Sequence, residues 1–234
     1  MLIYTKIIKE ILKKKIDFIT VDGITCSGKT TFANILQKKL IKFFPRTIII
    51  SKDLFLYPRN HRILISKKYN KIKTTNQNTL HFDNKKIKKL LNFLFSKSGN
   101  KKLLFKNLYN RKTGKNDFKY TFERLNSRLI IFEGIYINKD IEIKDKSILR
   151  ILLIEDVYNS LLNKIKRIRD KKISIQLLIS EFVNIHLNSY KNYLSNEYFD
   201  LCFNNKKSKF YRIKNGKNTQ LKNISFFFKK HISN

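Results

Sequence analysis

The residues best equipped for chemistry are the run Gly23–Thr30, GITCSGKT. Two glycines frame four residues and are followed by a lysine and a hydroxyl side chain, the spacing of a phosphate-binding loop. Glycine lets the backbone curl where side chains would block a phosphate. The loop N–H groups then point inward, and the helix that follows adds the positive end of its dipole. Lys29 is placed to reach the β- and γ-phosphates, and the Thr30 hydroxyl to ligate Mg²⁺. The expected nucleotide contacts are therefore Gly23, Ile24, Thr25, Cys26, Ser27, Gly28, Lys29, Thr30 and Thr31, with ATP and Mg²⁺ as cofactors.

Two acids stand at the ends of other apolar runs. Asp53 follows TIIIS in SKDLFLY, and Glu133 ends LIIFE. In an open α/β sheet, ligands bind beyond the carboxyl ends of the strands, so both carboxylates could reach Mg²⁺ directly or through water. The plainer role for each is a loop-capping acid. Asp83 precedes an amphipathic run in LHFDNKKIKKLL, where spacing alone reads as an N-cap. The run carrying Lys164, Lys166, Arg167 and Arg169 reads equally as a solvated helix face or as cations able to close over a γ-phosphate.

These groups need a frame. Four short β-branched apolar runs, FITVD (18–22), TIIIS (47–51), LIIFE (129–133) and LRILLI (149–154), suit a parallel sheet covered on both faces, with Leu201–Phe203 as a fifth candidate. Helical stripes lie between them: Phe32, Ile35, Leu36 and Leu40; Ile87, Leu90, Leu91, Leu94 and Phe95; Leu161, Leu162, Ile165 and Ile168; and Leu178, Phe182, Ile185 and Tyr190. The alternation predicts an α/β three-layer sandwich of the P-loop NTPase type, with a mostly parallel sheet flanked by helices. One domain is expected over 1–234, with polar insertions near 56–80 and 97–127 and a lid near 158–175. Residues 206–234 fit either a terminal helix or a strand.

The formal net charge is +34, from 51 Lys and Arg against 17 Asp and Glu. That balance first suggests nucleic acid. Only 10 of the 51 cations are arginine, however, while Lys, Asn, Ile and Phe, all with AT-rich codons, are abundant. A surface selected to grip phosphate would favour arginine, and these lysines run through nearly every segment. Codon bias is the better reading of the charge. Two cysteines make no disulfide framework, and no apolar run approaches the ~20 residues of a membrane span, so a reducing, cytoplasmic location and no membrane partner are expected.

Taken in order, these segments resemble the uridine kinase/phosphoribulokinase family of P-loop kinases. GITCSGKTT is similar to its P-loop and SKDLFLYPR to its Asp-x-Phe-Tyr-Arg segment. LHFDNKKIKKLL is similar to Asn-Phe-Asp-His-Pro, LIIFEGIY to Val-Glu-Gly-Ile, ILLIEDVYNSLLNKIKRIRD to the strand entering an Arg-rich lid, and YKNYLSNEYFDLCFNN to a late helix and strand. The resemblance spans roughly 18–205. It implies that Asp83 is the base for the acceptor hydroxyl. Asp53 and Glu133 would serve the Mg²⁺–phosphate region, and Arg169 would contact phosphate from the lid. The implied acceptor contacts are Asp53, Tyr57, Asp83 and Tyr109. The base-reading segment departs from the family: LYNRKTGK has Asn110 for Asp, and Gly114 about where His belongs. Asn84 and Lys85 replace the family's His-Pro.

The leading expectation is a small-molecule kinase, with uridine or cytidine 5′-phosphorylation first. Other alcohols, such as a sugar phosphate, pantothenate or glycerate, are the same-class alternative. A basic nucleic-acid-binding P-loop protein and a P-loop domain without turnover are the others. Self-association into a homo-oligomer is left open.

Overall fold

A computed structural model describes residues 2–70, 80–96, 101–123, 129–140, 147–167, 175–176, 179, 182–204 and 209–212. Its centre is a six-stranded sheet. The strands are β1 (Phe18–Gly23), β2 (Thr47–Ser51), β5 (Leu129–Gly134), β6 (Ile148–Ile154), β7 (Leu201–Asn204) and β8 (Lys209–Arg212), in the order β2-β5-β1-β6-β7-β8. The first five are parallel, and β8 returns antiparallel along β7. The five apolar runs became these five parallel strands. β1, β5 and β6 are buried on both faces, so nothing forces their sequences to alternate, while edge strand β2 is half-buried at Ile48, Ile49 and Ser51.

The pleat separates two sets of side chains. Ile19, Val21, Leu129, Ile131, Leu149, Ile151 and Leu153 pack with Ile7 and Ile11 of α1 (Leu2–Lys14) and with Phe32, Leu36 and Leu40 of α2 (Lys29–Leu40). Phe18, Ile130, Phe132 and Ile148 face the other way, onto Ile87, Leu90 and Leu91 of α4 (Asn84–Phe95). Farther along that second face, Leu152 packs with Val157 of α5 (Val157–Arg167) and with Tyr190, Tyr193 and Leu194 of α6 (Asn188–Asn196). This is the expected three-layer arrangement.

The two polar stretches expected as insertions carry secondary structure of their own. Within 97–127, β3 (Lys102–Leu108) and β4 (Phe118–Glu123) form an antiparallel hairpin whose Phe105, Leu108 and Phe122 enter the core under α4. Within 56–80, α3 occupies Arg59–Asn70. Phe182–Leu187 form a π-helical turn leading into α6, which shifts the apolar stripe so that Phe182, Leu187 and Tyr190 are buried. Ile168, Leu178 and most of 206–234 lie outside the described residues, as does the lid beyond Arg167 apart from Ile175. No described helix is long and apolar enough to cross a membrane.

Candidate functional site

In sequence order the chain leaves β1, passes over β5 to β2, and later returns to the far side at β6. The crevice beside the carboxyl end of β1 is therefore a topological switch point, where open α/β sheets bind ligands. The loop Gly23–Thr30 occupies it and runs directly into α2, whose first residue is Lys29. Gly28 caps α2 with φ 87°, the left-handed region open to glycine. Ser27 is buried beneath the loop, whereas Thr30 and Thr31 are exposed on the first turn of α2.

Lys29 folds back on its own loop. Its Nζ donates to the carbonyls of Gly23 (2.9 Å) and Ile24 (2.7 Å). Burial pulls the pKa of its ammonium down, and the carboxylates of Glu133, Asp22 and Asp53 oppose that. A phosphate arriving in the loop would offer the ammonium a full anionic partner in place of two carbonyls.

The strand register brings the acids to this point. Glu133 lies between Val21 of β1 and Ser51 of β2. The Thr30 hydroxyl donates to Glu133 Oε1 at 3.3 Å. Burial pushes the Glu133 carboxyl up and the Asp53 charge adds to this, while a hydrogen bond from Ser51 and the charges of Lys29 and Arg111 work against it. Asp53 sits in the 3-10 turn Lys52–Phe55 directly after β2. Thr30, Glu133 and Asp53 thus present a hydroxyl and two carboxylates, the hard oxygen donors Mg²⁺ takes alongside substrate phosphates. Among the described residues no cluster of three His, Cys, Asp or Glu forms, so phosphate oxygens would have to complete such a set.

Arg111, from the tip of the β3–β4 hairpin, forms an ion pair with the Asp53 carboxylate. Sequence reading missed this residue. It lies two positions from Tyr109, but its partner is 58 residues away, and no local pattern marks it. Lys52 was missed too. It is buried, donates to the Tyr136 carbonyl at 3.0 Å and stands over the Phe82 ring, which anchors the turn carrying Asp53.

The residues expected on the acceptor side also meet. The Tyr57 N–H donates to the His81 carbonyl at 2.9 Å, the Asp83 N–H to the Phe55 carbonyl at 2.8 Å, and the Tyr109 N–H to the Leu54 carbonyl at 2.8 Å. These backbone bonds hold the 53–57 turn, the start of α4 and the hairpin tip together. Asp83 is the N-cap of α4. Its Oδ1 accepts from the Lys86 N–H at 3.1 Å, and its Oδ2 pairs with Lys86 Nζ at 3.3 Å. The Tyr57 hydroxyl is pushed up by burial and then by the Asp83 charge. Tyr109 is buried; its hydroxyl accepts from Arg62 at 2.8 Å, and the Arg62 guanidinium lies 4.9 Å from its ring centre. His81 is held neutral, its pKa lowered to about 4 by burial and by Arg62.

Helix α5, where the lid is expected, touches the loop through Asn163, whose amide donates to the Cys26 carbonyl at 3.4 Å. Lys164 stands over the Phe182 ring, and Lys166 and Arg167 are exposed. Arg169 lies outside the described residues.

Residues 18–219 match the family model described as "Phosphoribulokinase / Uridine kinase family". No curated protein matches the sequence. Among solved structures, the fold is similar to D-glycerate 3-kinase from Cryptococcus neoformans var. grubii, with TM-score 0.59, 11% identity, and 90% of this chain and 97% of that chain covered. It is also similar to a possible uridine kinase from Bacillus stearothermophilus, with TM-score 0.52, 18% identity and coverage of 82% and 94%. A third is a protein provisionally designated a fructose transport system kinase from Silicibacter sp. TM1040, with TM-score 0.59, 14% identity and coverage of 82% and 93%. At these identities the likeness is one of fold.

Proposed function

The chain belongs to the phosphoribulokinase/uridine kinase family, hence to the P-loop kinases of small molecules, and from that premise we propose that it transfers the γ-phosphoryl group of ATP to the 5′-hydroxyl of uridine or cytidine. The observation that carries phosphoryl transfer is the convergence of Lys29, Thr30, Glu133 and Asp53 at one switch point. In the reaction a bond forms between the acceptor oxygen and the γ-phosphorus, the bond to the β-phosphate oxygen breaks, and the hydroxyl proton passes to a carboxylate. Lys29 neutralises charge on the β- and γ-phosphates. Mg²⁺, when bound, supplies further charge neutralisation between those phosphates, and Thr30, Glu133 and Asp53 are the residues that would hold it. Arg169 is assigned to phosphate from the lid by its place in the family pattern.

Two carboxylates compete for the proton. Asp83 is favoured by the sequence pattern and by its place beside Tyr57. Asp53 is favoured by the field it shares with Lys29 and Glu133, which puts it at the phosphate end. Asn at either position keeps the shape and removes the base. A loss of about 10²-fold or more in kcat with ATP still bound identifies Asp83 as the proton acceptor when Asp83→Asn shows it, and near-normal turnover of Asp83→Asn points to Asp53, whose own variant would also disturb Mg²⁺.

One observation favours a second reading of the acceptor, an anionic alcohol such as glycerate, pantothenate or a sugar phosphate. The Tyr109 ring that could stack on a base is buried and lies under Arg62, and Gly114 offers no imidazole. Arg62 and Arg111 stand on that side instead. The test is ADP release from Mg·ATP with uridine, cytidine, D-glycerate, pantothenate and ribulose 5-phosphate, each product checked by mass. Release that depends on a nucleoside supports the first reading, and release that depends on an anionic alcohol replaces it with the second. No acceptor-dependent release from the whole panel overturns both.

A further inference from the structure

We infer that Asp22, which no step of the proposed reaction uses, is a positioning residue for Lys29. It ends the apolar run FITVD one residue before the phosphate loop and is completely buried. Thr20 and Asp22 point to the sheet face covered by α6, as their partners Asn138 and Tyr193 show. Its carboxylate is surrounded by donors. Oδ1 accepts from the Gly23 N–H at 2.6 Å and from the Tyr190 hydroxyl at 3.3 Å. Oδ2 accepts from the Ile137 N–H at 2.9 Å and from the Tyr193 hydroxyl. The Tyr193 oxygen in turn accepts from the Asn138 N–H at 3.1 Å. One acid therefore ties together the start of the phosphate loop, the turn after β5 and the helix that follows the lid.

Burying a carboxylate is costly even when it is hydrogen-bonded, and an apolar or neutral group of the same size often serves stability as well or better. Asn carries one acceptor oxygen, so it could meet only one of the two backbone N–H groups, which donate to different carboxylate oxygens. Nor can a neutral side chain supply charge: burial pushes the Asp22 carboxyl up, Tyr193, Lys29 and the two backbone N–H groups hold it down, and its charge is felt in turn at Lys29. The geometry links the same two residues. Lys29 rests on the carbonyls of Gly23 and Ile24, and Asp22 fixes that stretch of backbone through the Gly23 N–H. Tyr190 and Tyr193 sit three residues apart on α6, so both hydroxyls reach one acid from a single helix face. Burial and the Asp22 charge push both phenols well above their ordinary value, so they remain donors.

The inference rests on Lys29 being the phosphate contact, and the test separates the two ideas. The Kd of Mg²⁺ with β,γ-imido-ATP is measured by calorimetry for wild type, Asp22→Asn, Lys29→Ala and the double variant, with a thermal melt of each. Asp22→Asn should weaken the analogue about tenfold in the wild-type background, within the range of coupled neighbours. In the Lys29→Ala background it should leave Kd unchanged or tighten it, because only the repulsion between Asp22 and phosphate has been removed. Equal weakening in both backgrounds, or none in wild type, overturns the inference and makes Asp22 a structural anchor. If Lys29→Ala binds the analogue as tightly as wild type, the reading of Lys29 itself fails. Tyr193→Phe, which keeps the acid and removes one donor, should show the same background dependence at smaller size. That variant decides the matter if Asp22→Asn does not fold.

Discussion

Gly134 offers a perturbation whose size can be worked from the structure. It ends β5 one residue beyond Glu133, and a Cβ placed on it would lie 2.6 Å from the Cβ of Lys52. Ordinary contact begins at 3.4 Å, so Gly134→Ala must open that gap by about 0.8 Å. The lysine cannot simply swing away, because the clash is at its first side-chain carbon. Its far end is also held, by the Tyr136 carbonyl and over the Phe82 ring. The backbone has to move, and the residues on either side of the gap are Glu133 and Asp53. Overpacking of this kind costs roughly 1–3 kcal/mol. At roughly 2–4 °C per kcal/mol for a chain of this size, Tm should fall by roughly 2–12 °C. Turnover should fall by about 10²-fold, the scale of a 1 Å misplacement at a reacting centre. Lys52→Ala added to Gly134→Ala should not restore either quantity, since the Cβ remains. A melt and an ADP-release assay read both effects. A Gly134→Ala protein with wild-type Tm and turnover would refute the claim that β5 and the 52–55 turn are packed this closely around the site.

Asp83→Ala should cost about 1 kcal/mol through the lost cap on α4, seen as a lower Tm, while Asp83→Asn should melt close to wild type. Arg111→Ala should leave Tm nearly unchanged, because exposed ion pairs contribute about 0–1 kcal/mol, yet it should lower ADP release by freeing the Asp53 carboxylate. Half-buried His81 and His186 have pKa values lowered to about 4 and about 3, mainly by desolvation. The unfolded chain therefore binds more protons below about 6.5. Their stabilising contribution is full above that pH and is lost as pH falls toward 4 and then 3. His81→Gln should flatten the fall in Tm between pH 6.5 and 4. Filter binding to single-stranded nucleic acid should be weak at physiological salt, since the +34 charge is lysine-dominated. Tight binding that persists at that salt would restore a nucleic-acid role.

The parallel sheet was legible because strands buried on both faces must be apolar throughout, and the five runs fall within one residue of β1, β2, β5, β6 and β7 at each end. The phosphate loop was legible because its residues are contiguous. The hairpin was not, because an exposed Leu104 between the inward Leu103 and Phe105 and a bulge between Phe105 and Leu108 break the alternation that marks a strand. Helix α1 is harder to read, because an exposed Leu12 lies off the face that Ile7 and Ile11 bury, and four lysines make the segment basic. The pairing of Arg111 with Asp53 and the convergence of Tyr190 and Tyr193 on Asp22 join residues 58, 168 and 171 apart. Such contacts follow from the packed sheet and helices, and one sequence carries no local mark of them. Asp22 did leave a trace, as an acid closing a strand directly before the phosphate loop.

The central claim is that Lys29, Asp53 and Glu133 form one phosphoryl-transfer centre. The most direct measurement follows labelled γ-phosphate from Mg·ATP into uridine and into each other panel acceptor, for wild type and Lys29→Ala. Wild type should carry label into a phosphorylated acceptor, and Lys29→Ala at least about 10²-fold less, at nearly unchanged Tm. Label that never leaves ATP, or that moves equally well with Lys29→Ala, would contradict it.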